Sequence, residues 1–145
     1  METNGKIDLS LHHVGIVVPE IAEKRRFYVD TLGYRERTPV IHDPLQTAYV
    51  QFFSIPGSDH YLELVAPDGE GSKLLGASRK GIPLHHLCYA CDEIGAAFES
   101  LWNAGCLQLS PPTPAVAFEG RPVAWLMSPD RLLIELVERG GPGSL

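Results

Sequence analysis

Residues 11–21 read LHHVGIVVPEI, and residues 84–94 read LHHLCYACDEI. A leucine, two histidines, a glutamate and an isoleucine coincide at a single offset of 73. Further along, YLELV at 61–65 returns as LIELV at 133–137, now offset by 72. Leu32-Gly33 and Ala104-Gly105 match at that same offset, so one residue is lost between the histidine doublet and the next turn. A duplicated unit of about 70 residues accounts for all three matches, and it is too long for a solenoid repeat. Two such units would complete one core between them.

Each copy shows the same order of elements. Residues 10–18 are apolar and β-branched and read as a strand. Pro19 suits a first helical turn and Gly33 a helix end, with Ile21, Tyr28 and Leu32 on one face and Arg25 and Arg26 on the solvated side. In the second copy Ile94, Ala97, Phe98 and Leu101 follow helical spacing, and Gly105 closes the helix. Three strand-like runs follow each helix, near 34–41, 47–54 and 60–66 and then near 106–110, 121–128 and 131–138. The class is therefore α+β, built from two βαβββ modules. Module one covers about 10–66, residues 67–83 are a Gly-rich linker, and module two covers about 84–139, all within a single domain spanning 1–145. Residues 139–145 read as a frayed tail.

Composition narrows the function classes. The 145 residues carry a net charge of −6, against the basic stripe that a phosphate-tracking nucleic-acid binder needs. No apolar run approaches a membrane span, and METNGKIDLS lacks the apolar core of a secretory signal, so a cytoplasmic location is expected. Three cysteines make a disulfide framework unlikely, in keeping with a reducing compartment.

The repeat also places one histidine at the start of each module and one glutamate in its last strand. These are His13, Glu63, His86 and Glu135. A lone strand histidine is commonly a packed core residue, and a lone strand glutamate commonly guards an edge. A glutamate between aliphatic neighbours at two related positions favours a divalent metal site instead. Two carboxylates cancel a 2+ ion, and mixed N/O ligation suits Zn, Ni, Co, Mn or Fe(II). Strand alternation sends His12 and His85 to the opposite face from the ligands. Cys88-x-x-Cys91 lies in a strand and lacks a second pair, so a redox or zinc role is not expected, although Cys88 shares the His86 face and is expected to line the pocket. Arg121, entering the seventh strand, is a candidate for an anionic substrate group.

The pattern LHHVGIVV…FYVDTLGY…YLELVAP…LHHLCYACDEI…LLIELVE resembles the vicinal oxygen chelate superfamily, from about residue 10 to 139. KGIPLHHLCYACDEI and DPLQ at 43–46 look most like its methylmalonyl-CoA epimerase-like branch, and the two-His, two-Glu set is similar to glyoxalase I. The resemblance implies a cupped, eight-stranded mixed sheet around a metal held by His13, Glu63, His86 and Glu135. It implies a small-molecule substrate, an acyl-CoA or a thiol adduct, chelated through two oxygens, and a homodimer. A proton would move on the carbon next to a carbonyl, with Glu135 as base and Glu63 as second proton carrier. Where the epimerases carry a further glutamate in the third strand, this chain has no acid; Gln51 lies near that place and is expected to touch substrate. Metal-free sequestration of a small molecule is the alternative from a different class. An extradiol-type dioxygenase fits less well, because a fourth ligand at Glu63 takes a position that oxygen chemistry needs.

Overall fold

The computed structural model describes residues 8–145; most of the N-terminal stretch considered above for a secretory signal lies outside the described residues. Packing divides the described residues into two compact units, His12–His86 and a second made of Leu87–Leu145 with Asp8–Leu11. Nine strands occur among the described residues, one more than expected.

The first unit holds strands β1 (Ser10–Val17), β2 (Arg35–Glu36), β3 (Ile41–Asp43), β4 (Ala48–Ser54) and β5 (Tyr61–Pro67). β1 runs parallel to β5, β5 antiparallel to β4, and β2 and β3 both pair antiparallel with β4. The run expected at 34–41 is thus two short strands. Pro39 has no N–H for the ladder, and Arg37 N and Thr38 Oγ1 tie the intervening bend to Phe52 instead. Helix α1 (Ile21–Arg26) opens behind Glu20, whose carboxylate accepts from Glu23 N at 2.5 Å, so Pro19 precedes the cap rather than entering the first turn. The helix continues over Phe27–Thr31 as a wider π-helical turn. The wider turn shifts the apolar face: Ile21, Tyr28 and Val29 pack against Phe53, Leu62, Leu64 and Ala66, while Leu32 turns outward. The linker region is not featureless, because α2 (Leu75–Lys80) forms there and ends on Gly81 in the left-handed region.

The second unit repeats the plan with β6 (Leu84–Cys91), α3 (Ile94–Asn103), β7 (Leu107–Pro114), β8 (Pro122–Met127) and β9 (Leu133–Glu138). β6 is parallel to β9, which pairs antiparallel with β8, and β8 with β7. Ile94, Ala97, Phe98 and Leu101 pack as their spacing requires, against Cys91, Cys106, Ala124, Leu126 and Leu136. Alternation therefore assigns faces in both units. In β5, Leu62, Leu64 and Ala66 meet the helix and Glu63 faces away; in β9, Leu136 meets the helix and Glu135 faces away.

Residues 139–145 are held rather than frayed. Arg121 donates to the carbonyls of Phe118 (3.2 Å), Glu138 (2.8 Å) and Leu145 (2.6 Å). Its guanidinium also lies 5.4 Å from the Phe118 ring centroid. No helix among the described residues is long and apolar enough to cross a membrane.

Cys88, Cys91 and Cys106 are all buried thiols. Cys88 and Cys91 stand three apart on one strand, hence on opposite faces. Burial, with the Glu138 carboxylate nearby, pushes the Cys91 thiol up to about 11. A thiol above its usual range stays protonated and unreactive at pH 8. Ellman's reagent at that pH should find no fast-reacting cysteine in the folded protein and all three in denaturant. For Arg121→Met we expect a loss of about 2 kcal/mol in urea unfolding, with earlier proteolysis near the C-terminus; an unchanged midpoint would contradict the role given to Arg121.

Candidate metal centre

His13 and Glu63 sit on adjacent parallel strands, on the faces turned away from α1. The register sets His13 beside Tyr61 and Gly15 beside Glu63. His13 Nε2 lies 3.2 Å from Glu63 Oε1, His86 Nε2 lies 3.2 Å from the same oxygen, and the two Nε2 atoms are 3.1 Å apart. The imidazole planes cross at 86°. All three side chains are buried, His13 at 0%, His86 at 1% and Glu63 at 6% exposure. Burial alone would raise the Glu63 carboxyl, but the His13 and His86 imidazoles, as charges and as hydrogen-bond partners, hold it far below the usual carboxylate range. Glu63 is therefore an anion in an apolar sheet.

One oxygen and two nitrogens converging in this way match a metal site. Donors bound to one ion at 2.0–2.2 Å stand roughly 3.0–3.4 Å from each other, according to whether the geometry is octahedral or tetrahedral. The mixed imidazole and carboxylate set suits first-row divalent ions. The residues present thus fit the group expected from the sequence.

Gly15 makes the convergence possible. A Cβ built there would collide with the ring of His86. The glycine is needed here for close approach and not for a special backbone angle. Phe52 pairs with Glu63 from the other side, and its ring meets His13 edge-on at 5.1 Å. Sequence reasoning missed Gly15, although the V-G pair after the doublet was in view.

Glu135 occupies the matching place in the second unit. It is buried at 6% exposure, on the face of β9 turned away from α3, between Cys88 on β6 and Trp125 on β8. Cys88 is fully buried and stands beside Glu135 in register.

Three expectations meet a different arrangement. Gln51 lies on the α1 side of β4, opposite to Phe52 and Glu63. Its amide donates to Glu36 Oε1 and the Thr38 carbonyl, both at 2.9 Å, and its oxygen accepts from Arg25 at 3.4 Å. Its hydrogen-bonding capacity is used by the fold, and Arg25 is correspondingly not on a purely solvated face. Arg121 is engaged with backbone carbonyls, as described above. His12 and His85 do not turn away from the ligands: each places its Nδ1 beside the Nδ1 of the next residue, at 2.7 and 2.8 Å.

Comparison with known proteins agrees with this architecture. Residues 12–125 match the Glyoxalase/Bleomycin resistance protein/Dioxygenase superfamily. The chain belongs to this superfamily. Within it, the chain is similar to an ethylmalonyl-CoA/methylmalonyl-CoA epimerase of Cereibacter sphaeroides, 34% identical over 122 residues, or 83% of this chain and 89% of that protein. The human mitochondrial methylmalonyl-CoA epimerase is 30% identical over 130 residues, covering 87% and 72%. Among solved structures, a hypothetical protein of Bacillus halodurans superimposes with a TM-score of 0.81 at 25% identity, covering 92% and 96% of the chains. Methylmalonyl-CoA epimerase of Mycobacterium tuberculosis superimposes with a TM-score of 0.77 at 23% identity, covering 97% and 94%. The fold is thus that of the vicinal oxygen chelate superfamily.

Gly15→Ala should displace the His86 ring and weaken divalent-ion binding by at least about tenfold, a loss of roughly 1.4 kcal/mol. Titration of the metal-free variant with Co²⁺, followed in the visible spectrum, tests this; wild-type affinity in the variant would show that the site does not depend on that space.

Proposed function

We propose that this chain is a divalent-metal-dependent epimerase-type isomerase that moves a proton on the carbon beside the thioester carbonyl of a carboxylated acyl-CoA. The observation that carries the reading is the convergence of His13, His86 and Glu63 on one point at 3.1–3.2 Å. The repeat supports Glu135 as the fourth donor, since it holds in β9 the position that Glu63 holds in β5. The substrate class is supported by the curated relatives, which are named for ethylmalonyl-CoA and methylmalonyl-CoA. In this reading the two modules act as one domain.

A bound divalent ion would supply electrostatic stabilisation to two substrate oxygens as negative charge develops on them. The remaining work falls to the chain. Glu63, held as an anion, contributes charge to the site, and Gly15 keeps the His86 ring in place. Phe52, beside Glu63, presents an apolar wall that excludes water from the reacting carbon. Glu135 takes the α-proton: the C–H bond breaks and its electron pair enters the planar enolate. Return of a proton taken from water and relayed by Glu63 to the opposite face inverts the centre, and Glu135 gives its own proton up to water. Gln51 and Arg121 have no part in this scheme, because the fold uses their polar groups.

The reading is tested with the purified protein, its metal content measured, incubated with methylmalonyl-CoA in D₂O. We expect chelator-sensitive incorporation of deuterium at the α-carbon. Glu135→Gln should lower exchange by at least about 10²-fold while much of the metal remains bound. Undiminished exchange in that variant would remove Glu135 as base. A wild-type protein free of metal that exchanges nothing would overturn the reading as a whole.

A further inference from the structure

Each proposed ligand histidine is bonded to the histidine before it. The Nδ1 atoms of His12 and His13 are 2.7 Å apart, and those of His85 and His86 are 2.8 Å apart. Both pairs have ring centroids separated by 5.0 Å, with planes at 78° and 86°. The same arrangement thus arises twice, once in each copy of the repeat. Two ring nitrogens at this distance share one proton, one ring donating and the other accepting.

The direction of donation follows from the far side of the rings. His13 and His86 turn their Nε2 atoms toward Glu63 and toward each other. A divalent ion at that point would take the Nε2 lone pair of each ring, which leaves each ring's proton on Nδ1. That proton points at the neighbouring Nδ1, so the neighbour must accept and keep its own proton on Nε2. The His12 ring is also fixed in place, 5.2 Å from the Tyr61 ring centroid and 6.4 Å from that of Phe52.

We propose that His12 and His85 are positioning residues: by accepting the Nδ1 protons of His13 and His86, they fix the tautomer and ring orientation that would aim both Nε2 lone pairs at a divalent ion held beside Glu63. The purpose of that aim rests on the metal-centre reading above. A free imidazole prefers its proton on Nε2, so without an acceptor at Nδ1 the ligand rings would favour the wrong tautomer. Outer hydrogen bonds of this kind are usually made by carboxylates or backbone carbonyls and are worth about 10–100-fold in metal affinity. Here the chain uses a second imidazole.

The test uses the full-length protein with ¹⁵N-labelled histidine. Long-range ¹H–¹⁵N spectra of the Zn²⁺-loaded protein should show His13 and His86 protonated on Nδ1, and His12 and His85 protonated on Nε2. His12→Phe and His85→Phe keep a ring but remove the acceptor. In each, Co²⁺ affinity should fall about 10–100-fold. His12→Asn and His85→Asn place an oxygen near the lost Nδ1, and should restore affinity to within about threefold of wild type. Phenylalanine and asparagine variants of equal affinity, or ligand histidines with a bare Nδ1 in the wild type, would overturn the inference. A wild-type protein that binds neither Zn²⁺ nor Co²⁺ overturns the metal reading and this inference with it, whereas equal variants in a metal-binding protein overturn this inference alone.

Discussion

Glu63 is an ionised carboxylate placed in the middle of an apolar strand, between Leu62 and Leu64, and buried at 6% exposure. Removing such a charge from water is costly unless partners compensate for it. The compensation comes from two imidazoles, one on the neighbouring strand β1 and one from the start of β6, each 3.2 Å from a single oxygen. Much of the first unit follows from that requirement. The parallel pairing of β1 with β5 puts His13 and Glu63 on one face, and the missing side chain at Gly15 admits the second ring. The α1 face of the same sheet carries the apolar packing that holds the arrangement rigid.

The two modules share a plan but differ where the plan meets chemistry. In the first, the acid in the last strand is flanked by Gly15 and Phe52; in the second, by Cys88 and Trp125. One copy offers space and the other fills it. A duplicated unit therefore yields two related acids in unlike surroundings.

Much of the fold was legible because strand alternation and helical spacing are local. The face of Glu63, the face of Glu135 and the apolar stripe of α3 all follow from positions along one segment. Misreadings arose where a side chain answers to distant groups. Gln51 looked open to substrate, but its amide is claimed by Glu36, Thr38 and Arg25, up to 26 residues away in the chain. Arg121 looked like an anion contact, yet it fastens the C-terminal residues through their carbonyls. The π-helical turn after α1 moved Leu32 off the apolar face, and no periodicity marks where such a turn will open. α2 escaped notice because LGASRK is weakly helical by composition and ends on a glycine whose role is clear only once the turn is closed.

The amino-acid sequence by itself determined the repeat, the strand–helix–strands order of each copy and the candidate residues His13, Glu63, His86 and Glu135, because duplicated spacing and side-chain alternation survive without coordinates. Tertiary structure decided what surrounds them. Only the folded chain shows that Gly15 is empty in order to seat the His86 ring, and that His12 and His85 turn toward their neighbours instead of away. The physical reason is one of range. Periodicity reports which face a residue takes within its own strand. Close approach between rings, and the path of a shared proton, depend on atoms brought together from segments 73 residues apart.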